Sequence, residues 1–187
     1  MSRHSHVQLM ASYNSWMNKK LYEAAGALPA AELVRDRGAF FASVQGTLNH
    51  LLVADTVWLK RFAAESALAP PQSPAAFAAL APLRALAMPA SLDAPQFDAL
   101  APMAAQRAWL DGVITAWTGA LTEADLDAAL HYARMNGEQY AKPLFDVLLH
   151  FFNHQTHHRG QASTLLSQAG VDVGVTDLLA LIPNLEP

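Results

Sequence analysis

The chain has 187 residues, with 12 Lys and Arg against 16 Asp and Glu, a net charge of −4 and no cysteine. With no basic cluster longer than Lys19-Lys20, this balance argues against a dedicated nucleic-acid binder. The lack of cysteine excludes disulfides, iron–sulfur clusters and thiolate zinc sites.

No apolar stretch approaches the roughly 20 residues of a membrane span. The first residues, Met1-Ser2-Arg3-His4-Ser5-His6, lack the apolar core of a signal peptide, so the cytoplasm is the expected compartment. The length suits one domain, residues 1–187, with a substantial core. The chain is 52% hydrophobic, mostly Ala and Leu, which favours helices. Only 15% is charged, so some apolar surface is expected to be covered by a partner.

Apolar side chains at Leu9, Tyr13, Trp16, Met17, Leu21 and Ala24 recur near the helical period and predict a first helix over residues 7–27, ended by Pro29. Residues 35–40 read as a connector. Ser43 is a candidate N-cap for a second helix reaching residue 64. Val44, Leu48, Leu51, Leu52, Trp58, Leu59 and Phe62 form its apolar side, and His50 falls in its first half. Six prolines between Pro70 and Pro95 then prevent a long helix. An extended crossover connection is expected there, with short helical turns at 77–80 and 83–86.

A third helix is predicted over 97–121, with Leu100, Trp109, Leu110, Val113, Ile114 and Trp117 inward. Thr122-Glu123-Ala124-Asp125 reads as a turn with a capping box. Asn136-Gly137 lies between two short alternating runs, which is a hairpin signal. Pro143 opens a fourth helix near its first turn and Gly170 closes it. Residues 176–182 suggest one more short helix, stopped by Pro183. These elements predict an all-α fold: a four-helix bundle with one long crossover connection and a small hairpin before helix four.

The fourth helix carries His150, His154, His157 and His158 within nine residues. Burying four imidazoles on one largely apolar helix with no partner would be costly, and a metal ion offsets that cost. Residues four apart share a helix face, so His154 and His158 suit a single divalent ion. His154 also pairs with His150 at i−4 and His157 at i+3, so spacing alone leaves the ligand set open. His157 and His158 point about 100° apart, which disfavours both binding one ion. A third ligand has to come from elsewhere, and His50 lies on a second helix. Gln155 after His154 excludes the His-Glu-x-x-His protease pattern, and the absence of Glu-x-x-His leaves a di-iron bundle unsupported. His4, His6 and His131 have no such neighbours and read as ordinary structural or surface residues.

Three segments together resemble the DinB/YfiT-like family. They are Tyr13-Asn14-Ser15-Trp16-Met17-Asn18, the run from Thr47 to Leu59 containing Asn49-His50, and Asn153-His154-Gln155-Thr156-His157-His158-Arg159-Gly160-Gln161. The last is the most specific, and the proline-rich middle matches only as a variable connection. The resemblance implies an up-down-down-up four-helix bundle and a divalent ion held by His50, His154 and His158. Three protein nitrogens leave a coordination position open for water or substrate, as in catalytic rather than closed structural sites. His150, one turn before His154, is a candidate base or a supporting residue. Gln161 is within reach of the rim. Asn18 and Asp55 are further candidates for the surroundings of the ligands or the pocket. Asp55 lies about 140° around the helix from His50, so it reads better as a helix tether than as a ligand. Arg159 reads as a surface or interhelix ion-pair residue.

Two classes of function follow. The family resemblance includes metal-dependent transferases and isomerases that use a small thiol such as bacillithiol, mycothiol or glutathione. An open metal position lowers the pKa of such a thiol, or of water for hydrolysis. The alternative is a metal-binding protein without turnover, serving in stress response or as a sensor. A substrate-sized pocket reaching the open position distinguishes the two. Three imidazoles suit zinc and nickel equally. The low charged fraction, with Trp16, Trp58, Trp109 and Trp117, predicts a homodimer.

Overall fold

The structure is a computed structural model that describes residues 2–64, 67–134 and 136–185. It is mostly helical, with six α-helices: α1 (Arg3–Gly26), α2 (Ala30–Leu33), α3 (Val44–Phe62), α4 (Pro74–Ala79), α5 (Leu100–Ala120) and α6 (Leu144–Gln168). Short 3-10 turns occupy Ala81–Ala85, Asp125–Asp127 and Leu178–Leu181. α1 and α3 each pack against both α5 and α6. No helix among the described residues is long and apolar enough to cross a membrane.

Local chemistry explains most boundaries. The Ser43 side chain accepts from the Gly46 N–H and starts α3 where expected. α1 begins earlier than periodicity predicts, because Ser2 caps it by accepting from the Ser5 N–H. Arg3 then anchors that end, donating to Glu123 at 3.0 Å and Asp127 at 2.7 Å. The expected capping box forms: the Thr122 N–H donates to Asp125 and the Asp125 N–H donates to Thr122 Oγ1. Pro143 stands at the cap of α6 itself, and Gly170, at φ +82, ends the helix in the left-handed conformation.

Beside the helices, the expected hairpin is present and belongs to a small sheet. The hairpin of β2 (Ala129–Ala133) and β3 (Gln139–Pro143) is joined by β1 (Leu68–Ala69), giving a three-stranded antiparallel sheet in the order β1-β2-β3. A two-residue strand running straight into Pro70 has no readable alternation, so only its pairing with Leu130 and Ala129 defines it. Gly137 takes φ +86 in the hairpin loop, and the Arg134 N–H donates to the Glu138 carbonyl.

The core holds Leu21, Leu48, Phe62, Ile114, Trp117 and Phe151, all nearly or fully buried. Phe62 stacks on Trp117 at 4.7 Å between centroids. Trp117 therefore contributes nothing to the outer surface, and only Trp109 of the four tryptophans is exposed, at 38%. A partner surface therefore cannot be built from all four tryptophans.

A buried polar layer crosses the core. Arg107 on α5 donates to Asp55 on α3 at 2.5 Å and pairs with Asp111 at 2.9 Å. Asn14 and Asn18 on α1 each donate to Asp111 at 3.0 Å. Arg159 on α6 donates to Asn14 Oδ1 and, at 3.2 Å, to Thr156 Oγ1. Asp55 and Asn18 are thus engaged between helices and do not line the histidine site. Arg159 is also not a surface ion-pair residue: it is 2% exposed and its interhelix partner is an amide. Burial lowers Arg159 to about 10, so it stays cationic at neutral pH. Burial raises Asp55 to about 7, with Arg107 pulling the other way.

Removing one member of such a pair leaves the other charge buried and uncompensated. Arg107→Ala should therefore lower unfolding stability by about 3–5 kcal/mol, read as a shift of the urea midpoint. Loss of less than about 1 kcal/mol, the scale of a surface pair, would show that Asp55 and Asp111 find other partners.

Candidate metal centre

α3 and α6 lie side by side, and the faces they turn to each other carry one imidazole from α3 and two from α6. His50 on α3 is 4% exposed, and His154 and His158 on α6 are half-buried. One ring nitrogen from each of the three lies within 4.8 Å of the others. The His50 and His154 Nε2 atoms are 3.4 Å apart. Two nitrogens each about 2.1 Å from a tetrahedral ion would stand about 3.4 Å apart, so this pair already has the spacing of ligands to one ion.

The remaining hydrogen bonds orient the rings. His50 Nδ1 bonds the Leu92 carbonyl at 2.9 Å. A carbonyl only accepts, so Nδ1 carries the proton and the Nε2 lone pair faces inward. His158 Nδ1 meets Gln161 Oε1 at 2.7 Å, which directs its Nε2 lone pair the same way. Gln161 also contacts His157 Nε2 at 3.4 Å, and so lies behind the three converging histidines. Lone pairs converging from His50 and His158 repel unless a proton or a cation lies between them. Two of the three imidazoles, His50 and His158, are thus held by second partners with a lone pair turned inward, the arrangement that suits a divalent metal with no thiolate needed.

Phe41 closes one side. It stacks on His50 with centroids 3.9 Å apart and meets His158 edge-on at 5.6 Å. The loop reaches there through Ala42 at φ +62, and it crosses Gly46 so closely that a Cβ at Gly46 would lie 2.1 Å from the Phe41 carbonyl oxygen. Only glycine fits that crossing. Asn49 holds the proline-rich connection on the other side, accepting from the Gln96 N–H at 2.9 Å and donating to the Ala94 carbonyl at 3.0 Å. That brings the Leu92 carbonyl onto His50. Sequence reasoning missed both Phe41 and Leu92. The Phe40-Phe41 pair just before the Ser43 cap was the available signal for the first; a backbone carbonyl leaves no side-chain signal.

The other histidines separate as geometry requires. His150 sits one turn before His154, with ring centroids 6.0 Å apart, and packs edge-on to Trp58 at 5.4 Å. His157 is exposed. His4 bonds the Thr118 carbonyl, His6 packs on Phe145, and His131 lies exposed on β2, none of them in the cluster. A cleft of about 400 Å³ opens beside the cluster, walled by His50, His154, His150, Trp58, Arg61 and Arg134. That is the size of a small-molecule site.

The chain belongs to the DinB family, whose model matches residues 1–184. No curated protein and no solved structure matches the chain.

Burial pushes His154 down to about 3, and the neighbouring His158, His50, His150 and His157 add to that. Burial also lowers His50, His158 and His150. A histidine with its folded value below the unfolded 6.5 binds fewer protons folded than unfolded. Stability is then complete above pH 6.5 and lost as pH falls toward 3. Metal-free protein should show a urea midpoint that declines below pH 6.5, and His154→Gln should flatten the decline between pH 6.5 and about 5, before most carboxylates titrate. Identical slopes for the two proteins would show that the cluster does not couple to folding.

Proposed function

We propose that this chain is a metal-dependent transferase or isomerase that acts with a small thiol. His50, His154 and His158 would hold zinc or nickel. The observation that carries the reading is the cleft of about 400 Å³ that opens on His50 and His154, two of the three converging histidines. A stress-response or sensor protein that only stores a metal has no need of a substrate-sized cleft at the ion.

When bound, the ion supplies a Lewis acid with an open position, at which a thiol, or water in a hydrolase, loses its proton near neutral pH. We assign His150 the role of the base that takes this proton. It lines the same cleft, and burial keeps it neutral at pH 7. Trp58 and Val57 give the cleft an apolar wall. Phe41 excludes water from the opposite side of His50 and His158. The four long helices are proposed to run up-down-down-up. The packing of α1 and α3 against both α5 and α6 supports this, as does a connection between α3 and α5 long enough to return a helix in the same direction.

Protein purified without a histidine tag should carry about one equivalent of divalent metal. His154→Ala should abolish it and His131→Ala should leave it intact, both read by elemental analysis. Metal-loaded protein should accelerate transfer of a thiol such as glutathione to a small electrophile, and His150→Gln should lower kcat by about 100-fold or more while keeping the metal. Stoichiometric metal with no rate above background across thiols would favour the non-catalytic alternative.

A homodimer is also proposed, now on the exposed apolar residues Phe40, Trp109, Leu149 and Leu179. Sedimentation at micromolar concentration should give twice the chain mass of 20.2 kDa; a single-chain mass would overturn the dimer and leave the site unaffected.

A further inference from the structure

Beyond the histidines, the cleft continues past Trp58, Arg61, Arg134 and His150 into a second cleft of about 440 Å³ under the sheet. These four residues wall both spaces, so the two are adjoining parts of one groove. Its far part adds Tyr132, Lys142 and Asp146. Among the described lining residues it holds three cations and one carboxylate, in a chain whose net charge is −4. A positive groove on a negative protein is a local arrangement, not a by-product of overall charge.

The cations come from three separate elements. Arg61 stands at the end of α3, Arg134 in the hairpin loop and Lys142 on β3. Arg61 lies against two aromatic faces, with its guanidinium carbon 4.6 Å from the Trp58 ring centroid and 5.1 Å from that of Tyr132. Stacking fixes the plane of the guanidinium and leaves its edge N–H groups free to donate. Burial holds Arg61 below its ordinary value, and the like charge of Arg134 adds to this. Arg134 is itself poised on Tyr140 at 4.5 Å, with only a loose, exposed contact to Glu138 at 3.6 Å. Like charges gathered in a half-enclosed groove repel one another, and an anion placed between them relieves that repulsion.

We propose that this groove binds the carboxylate of a small organic acid through Arg61, Arg134 and Lys142, with the molecule's apolar body on Trp58 and its reacting end at the histidines. This rests on the proposed function only for what happens at that reacting end. A planar, fork-shaped donor such as Arg61 matches a carboxylate in two parallel hydrogen bonds. The carboxylate can belong to the thiol or to its electrophile, and both are tested below.

Calorimetric binding would compare 3-mercaptopropionate with 3-mercaptopropionamide, and cinnamate with cinnamamide. Each pair keeps the shape and removes the charge. In at least one pair the acid should bind about tenfold tighter than the amide; the pair that does so identifies which reactant carries the carboxylate. Arg61→Gln and Arg134→Gln should each bring the ratio towards one, and Lys142→Gln should reduce it less. Arg134 and Lys142 are exposed, so their variants keep the test valid if Arg61→Gln fails to fold. Equal binding of acid and amide in both pairs, or a preference that survives both arginine variants, would overturn the proposal. The cinnamate pair repeated on chelator-treated protein separates it from the metal reading. A preference that persists without metal supports the groove whatever the ion does; one that disappears with the metal puts the carboxylate on the ion and overturns the groove.

Discussion

The arrangement of this protein depends on the buried link from Asp55 through Arg107 and Asp111 to Asn14, Asn18 and Arg159. It contains one or more residues from each of the four long helices. Apolar side chains on Ala- and Leu-rich helices slide past one another at little cost, since volume and hydrophobicity change slowly with register. Directional hydrogen bonds between charged groups in a low-dielectric core do not tolerate such sliding, because each misplaced partner leaves a desolvated charge. The layer's contribution is therefore better understood as register than as net stability. An apolar replacement of the whole set would leave the fold's free energy little changed.

Register matters here because the same helices carry the histidines. Asp55 and His50 are five residues apart on α3, about 140° around it. With Asp55 held by Arg107 on α5, His50 is turned toward α6. Arg159 follows His158 directly, about 100° around α6. With Arg159 held by Asn14 on α1, His154 and His158 are turned toward α3. The tether and the histidine cluster are two faces of the same two helices, and fixing one aims the other. The three short segments that resemble the family therefore hold both the tethers and the histidines. Asn14, Asn18, Asp55 and Arg159 hold the scaffold, while His50, His154 and His158 converge between α3 and α6, with His50 and His154 lining the cleft.

The surroundings of the site come from the irregular segments. The loop before α3 supplies Phe41, the proline-rich connection supplies the Leu92 carbonyl, and the hairpin supplies Arg134 and Lys142. Helices give the precise side, where the spacing of the histidine nitrogens is set. Loops and the small sheet give the side that sets size and charge. Changes in those segments can alter what enters the groove without disturbing the cluster, which is the usual division between a rigid scaffold and the loops that carry specificity.

The long helices, their caps at Ser43 and Gly170, the hairpin, and the shared face of His154 and His158 are all legible in the amino-acid sequence. All follow from rules that act over a few residues: the 3.6-residue period, the hydrogen-bonding needs of helix ends and the left-handed preference of glycine. From residues alone it could not choose His50 over His150 or His157 as the third member of the cluster; the family resemblance made that choice, and the packing of α3 on α6 brings the three together. Tertiary structure alone decided that Arg159 is buried against an asparagine 145 residues away, that β1 exists, and that Arg61, Arg134 and Lys142 wall one groove. Periodicity fixes which face of a helix is apolar, but not which helix that face meets. Groups far apart in the chain are brought together only when the whole core closes, and both the histidine cluster and the charged groove beside it are made of such groups.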